Sequence, residues 1–115
     1  MTSESMDRLH PIREEIDRID EEILQRLNDR AREVLRIVEI KKKLGMPVYF
    51  PEREDEILLL VQGSNKGPLS DEAVRRVFER IIDESRRLER TLGEEEDAEN
   101  GEPESRGGSS GNQVD

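Results

Sequence analysis

Cysteine and tryptophan are absent from this 115-residue chain, and one Tyr and two Phe are its whole aromatic complement. Without thiols it can form neither a disulfide nor a thiolate nucleophile. One histidine, His10, leaves no His or Cys cluster with metal-ligand spacing. No apolar run approaches the ~20 residues that a membrane-spanning helix needs, and no signal peptide is visible, so a cytoplasmic location is the default expectation. The hydrophobic fraction is 31% against 42% charged, which is too little apolar material for a thick conventional core. A basic surplus is missing as well. The formal net charge is −10, and residues 93–115 hold eight acidic residues and one Arg, a net −7 of that total. Nucleic acid and anionic membrane surfaces are therefore poor candidates as partners.

What the chain does have is Ile, Leu and Val at helical spacing, enough for one small domain. From Pro11 to Leu44 the apolar residues Ile12, Ile16, Ile19, Ile23, Leu27, Val34, Ile37 and Val38 recur three and four apart. Neither Pro nor Gly interrupts the run between Ile12 and Leu44. Gly45 is placed to stop it and Pro47 cannot continue it. At ~1.5 Å per residue the helix would be roughly 50 Å long. The short segments that remain cannot cover such a stripe, so a second copy of the chain is expected against it. After a connector, Gly45 to Phe50, Pro51 and Glu52 signal a second helix carrying Ile57, Leu58, Leu60 and Val61. Residues 63–68 read as a loop, and Ser70 as the cap of a third helix that runs through Val74, Phe78, Ile81, Ile82 and Leu88. Residues 1–5 are expected to be irregular, residues 6–93 to form the helical domain, and residues 94–115 to be a disordered acidic tail.

Two cations interrupt the stripe of the long helix. Arg30 occupies the heptad row of Ile16, Ile23 and Ile37, and Lys41 the row of Leu27 and Val34. They are about three turns apart and face the same way. A cation on a core-facing row is costly unless paired, so it either meets a carboxylate, snorkels to water, or lines a pocket for a small anion. Arg13 lies 17 residues before Arg30, roughly 25 Å along one helix, too far for both to grip one small molecule. In an antiparallel pair of long helices, Arg13 of one chain could approach Arg30 of the other. On the third helix Ser85 and Glu89 are neighbours at i, i+4, a pair that by itself is ordinary on a helix surface. Glu54 by itself reads as a solvated first-turn acid.

Several stretches together resemble the all-helical chorismate mutase family. They are Ile16-Asp17-Arg18-Ile19-Asp20, the Arg30 to Lys41 spacing, Pro47 through Glu54, Gly67-Pro68-Leu69-Ser70, and Ile81-Ile82-Asp83-Glu84-Ser85. The likeness spans about residues 7–92 and is nearest to the mutase domain at the start of bifunctional mutase–prephenate dehydratases. No dehydratase domain follows in this chain, so a monofunctional mutase is expected.

The resemblance implies an all-α fold: a three-helix protomer whose very long first helices intertwine in a homodimer with two equivalent sites. Chorismate would be rearranged to prephenate, in phenylalanine and tyrosine biosynthesis, without a metal or cofactor. By position, Arg13 of a second copy and Arg30 would each hold a substrate carboxylate, a task that suits the guanidinium fork. Lys41 would donate to the ether oxygen. Glu54 and the Phe50 N–H would hold the ring hydroxyl, Arg53 would support the carboxylate network, Ser85 would touch a carboxylate, and Glu89 would face the ether oxygen from the other side. Some relatives have Asp where this chain has Phe50, a change that a backbone contact survives. Many have Gln at the position of Glu89. A glutamate donates there only when protonated, so burial is expected to raise its pKa and activity to fall as pH climbs through that value. Elimination of pyruvate from isochorismate is an alternative on the same scaffold, and a non-catalytic helical dimer is an alternative of another class. Small mutases of this type can also be activated by a partner enzyme of the aromatic pathway, for which the sequence shows no binding motif.

Overall fold

The structure is a computed structural model that describes residues 3–100, with side chains described through residue 92. Three helices make the fold: α1 (Ser3–Leu44), α2 (Pro51–Ser64) and α3 (Asp71–Asn100), with no strand among the described residues. None of these helices is long and apolar enough to cross a membrane. The chain divides into two units, Met1–Glu33 and Val34–Asp115, and α1 contributes to both.

The helix cores follow the apolar spacing, whereas their ends run further than the punctuation suggests. Ser3 to Ser5 are helical rather than irregular, and Pro11 sits inside α1 instead of opening it. Glu4, Met6, Arg8 and Leu9 are good helix formers, and proline there forfeits one backbone hydrogen bond. Likewise α2 runs through Gly63 to Ser64, and α3 passes Gly93 to reach Asn100. The glutamates that follow Gly93 favour helix intrinsically. Residues 101–115 of the expected tail, and residues 1 and 2, lie outside the described residues.

Where α1 ends, Gly45 adopts φ +67°, a left-handed conformation that costs a glycine nothing sterically. Its N–H bonds to the Lys42 carbonyl at 3.2 Å and the Met46 N–H bonds to that of Lys41 at 2.8 Å, the paired bonds of a Schellman motif. This turn brings the connector back alongside the last turn of α1. Phe50, extended at φ −134° and ψ 92°, then leads into Pro51 at the head of α2.

The α2–α3 connection is held by Asn65. Its Nδ2 donates to the Leu69 carbonyl and to Asp71 Oδ1, both at 2.8 Å, and its Oδ1 accepts from the Gly67 N–H at 3.1 Å. Ser70 Oγ accepts from the Ala73 N–H at 3.0 Å, the N-cap that the sequence announces. Replacing Ser70 by Ala is expected to destabilise the fold by about 1 kcal/mol, read as a lower urea midpoint with an unchanged slope.

Within the second unit α2 packs on α3. Val38, Leu58 and Ile82 are its buried apolar residues, one from each helix. Among the described residues of the first unit none is comparably buried: Ile12, Ile16, Ile19 and Ile23 of its stripe are each 45–60% exposed.

Candidate active site

Lys41 lies in the last turn of α1, three residues before the helix ends, so the Schellman turn returns the connector to it. Its ammonium is half-buried, donates to the Val48 carbonyl at 3.4 Å and sits 4.0 Å from the centre of the Phe50 ring. An ammonium over a ring face is attracted by the ring's negative quadrupole, so Phe50 and the connector hold Lys41 in place. Burial lowers the Lys41 pKa below the ordinary lysine value, while the charge of Glu89 pulls it back up. The structure thus brings three of the sequence-predicted residues together: Lys41, Phe50 and Glu89. Among the described residues nothing accepts a hydrogen bond from the Phe50 N–H.

Ser85 and Glu89 are half-buried along α3, one turn apart. The Ser85 hydroxyl donates to the Ile81 carbonyl at 3.1 Å, the usual back-bond of a helical serine.

Glu54 is in a different situation from the solvated first-turn acid that its position suggests. Its carboxylate is 18% exposed and is gripped by the guanidinium of Arg86, itself 33% exposed. Arg86 Nε donates to Glu54 Oε2 at 2.8 Å and Nη2 donates to Oε1, a two-pronged pair that joins α2 to α3. Arg86 Nη1 also reaches Asp83 Oδ1 at 3.1 Å, and the guanidinium lies 5.9 Å from the Tyr49 ring centre. The hydrogen bonds to Glu54 raise the Arg86 pKa further, against the opposing effect of burial. Arg53, adjacent in sequence, points elsewhere: it is 62% exposed and bonds to Glu56 at 2.7 Å.

Sequence reasoning missed Arg86. The signal was present in α3, where Val74, Phe78, Ile82 and Arg86 follow one another at intervals of four, so that a cation again stands on an apolar row. Two open clefts border this arginine. One, about 280 Å³, is lined by Tyr49, Asp83, Arg86, Arg87 and Arg90. The other, about 350 Å³, is lined by Glu54, Asp55, Leu58, Glu79 and Ile82 together with Asp83 and Arg86. Lys41, Ser85 and Glu89 line neither. Arg13 and Arg30 belong to the first unit, where Arg13 is exposed and Arg30 half-buried.

Residues 12–90 match the family model described as chorismate mutase type II. Over 91 residues the chain is 43% identical to the bifunctional chorismate mutase/prephenate dehydratase of Aquifex aeolicus, a match covering 76% of this chain and 25% of that protein. It therefore spans about a quarter of the length of that relative. A chorismate mutase of Methanocaldococcus jannaschii is 32% identical over 91 residues, which cover 78% of this chain and 92% of the relative. Among solved structures, a chorismate mutase from Thermus thermophilus superposes with a TM-score of 0.69 at 40% identity, covering 71% of this chain and 93% of that one. The match over residues 12–90, the likeness to a relative matched over nearly its whole length and the superposition agree: this chain belongs to the chorismate mutase type II family.

Proposed function

We propose that the chain rearranges chorismate to prephenate, in a site that a second copy of the chain completes. The observation that carries the reading is the half-buried Lys41 ammonium, fixed between the Val48 carbonyl and the Phe50 ring and facing the charge of Glu89, in a chain of this family. The reaction needs no atom from outside: an ether C–O bond breaks while a C–C bond forms between the enolpyruvyl methylene and the ring. A protein can speed this by holding the substrate compact and by stabilising the charge that grows on the ether oxygen. Lys41 is the donor to that oxygen and Glu89 its counterpart across it. Arg30 and Arg13 of the second copy hold the two carboxylates, with Ser85 and Arg53 in support. Glu54 and the Phe50 N–H take the ring hydroxyl. The dimer is supported by the exposed isoleucine stripe of α1, an apolar face of the length that a partner helix would cover.

Loss of chorismate absorbance on adding purified protein tests the reading, with Arg30→Ala as the control and isochorismate as a second substrate. Turnover of chorismate that vanishes in the control supports it. A folded protein that consumes no chorismate, or that releases pyruvate from isochorismate instead, refutes it.

The pH profile follows from the protonated forms that the mechanism uses. Lys41 donates as the ammonium, so activity is present below its pKa and is lost as pH rises through it. That alkaline limb should lie below the ordinary lysine range because burial lowers the pKa. Glu89→Gln tests the other partner of this pair. The Lys41 limb moves to lower pH, since the charge that raises its pKa is gone. A variant with the parental profile would sink the assignment of Glu89.

A further inference from the structure

The arginine that grips Glu54 has no part in the scheme above, yet its guanidinium is held from two helices. Its Nε and Nη2 take both carboxylate oxygens of Glu54, its Nη1 takes Asp83, and Tyr49 lies along its side. Glu54 and Arg86 are 32 residues apart and sit on different helices, so this is not the local i, i+3 or i, i+4 pairing typical of the exposed surface. Arg86 is itself fixed from α3 by Asp83, one turn back, before it meets Glu54. A carboxylate held in a two-pronged fork loses rotation about its last bond and presents its remaining lone pairs in a fixed direction.

We infer that Arg86 is a positioning residue: it aims the Glu54 carboxylate at the ring hydroxyl of the substrate. The inference rests on the mutase reading, because the hydroxyl that Glu54 takes is chorismate's. Arg86 touches the substrate at no point. It acts through Glu54, and the loss on removing it is confined to what Glu54 contributes. Arg53, which precedes Glu54 in sequence, is turned to solvent and paired with Glu56, so it cannot share this task. Charge alone is not sufficient either, since a lysine at position 86 could offer a point charge but not the fork.

A double-mutant cycle measures this directly. Arg86→Ala should lower kcat/KM about tenfold, the scale of one charge-assisted hydrogen bond. In a Glu54→Ala background the same replacement should change kcat/KM by less than about twofold. Arg86→Lys should lie between Arg86→Ala and the parent, and it serves as the second variant where the alanine protein folds poorly. Arg80→Ala, on the exposed face of α3 and paired with Glu84, should match the parent and reports any effect of removing an α3 arginine as such. Equal losses from Arg86→Ala in the two backgrounds, or an Arg86→Lys protein as active as the parent, overturn the positioning role while leaving the mutase reading intact. A parent protein that turns over no chorismate overturns both.

Discussion

Replacing Lys41 by alanine should lower kcat by about 10²–10³ while the protein stays folded. The size follows from where the charge goes. In the ground state the ether oxygen is a weak acceptor, and in the transition state it carries developing negative charge. A donor that is already in place therefore gains strength as the bond breaks, and its loss is read in kcat more than in KM. Lys41 is prepared for this: its ammonium needs no rearrangement, because the Phe50 ring and the Val48 carbonyl already hold it. The stability change should be small. Burial opposes the charged form of Lys41, so removing the ammonium relieves a desolvation cost, which offsets the loss of its attraction to the Val48 carbonyl and the Phe50 ring. Lys41→Arg keeps the charge but spreads it over a planar fork with a longer reach, and should recover only part of the rate. Steady-state kinetics with chorismate, beside thermal unfolding of each variant, decides the matter. A Lys41→Ala protein with kcat within about threefold of the parent would remove Lys41 from the reaction.

The helices were legible in the sequence wherever an apolar row had to be buried. Val38, Leu58 and Ile82 each lie within a segment that spacing alone marks as helix, and each is buried. A helix stop and a helix start read from chemistry were legible too, since Gly45 ends α1 and Ser70 caps the start of α3. The outer ends were not. Pro11, Gly63 and Gly93 are all tolerated inside helices, because one lost hydrogen bond or one flexible residue costs less than the neighbouring good helix formers contribute. In the site, Lys41 was visible as a cation on a core-facing row. The neighbours Arg53 and Glu54 show where such reading stops. Successive residues on a helix diverge by about 100°, so one of them faces Glu56 and solvent while the other faces α3. The partner of Glu54 could not be read from its own segment, because a pairing 32 residues distant depends on how α2 lies on α3. Arg86 was nonetheless marked within its own helix, by the same departure from an apolar row that singles out Arg30 and Lys41.

Mixing two inactive variants should restore activity. In the proposed dimer each site takes Arg30 from one chain and Arg13 from the other, so Arg13→Ala and Arg30→Ala each spoil both sites of their own homodimer. Either loss should cost on the order of 10²-fold in kcat/KM, since a misplaced carboxylate unsettles the compact conformer from which the reaction proceeds. When the two variants are unfolded together and refolded, random pairing makes about half of the dimers mixed. In a mixed dimer one site receives both alanines and the other receives both arginines. Activity should therefore recover to about a quarter of the parental value, a large rise over either variant alone. The converse mixture separates this arrangement from a site built within one chain. Parent chains refolded with an excess of the doubly substituted chain should lose activity, because every mixed dimer then has one arginine missing from each site. Were each site self-contained, every parent chain would keep its own site in any pairing, and activity would simply follow the amount of parent protein added. The exposed row of Ile12, Ile16, Ile19 and Ile23 makes the shared arrangement physically reasonable, because the helix that carries Arg13 has an apolar face to bury against a neighbour. Mixed dimers that form, as a tag on one variant can verify, and that remain inactive would place Arg13 and Arg30 outside a common site.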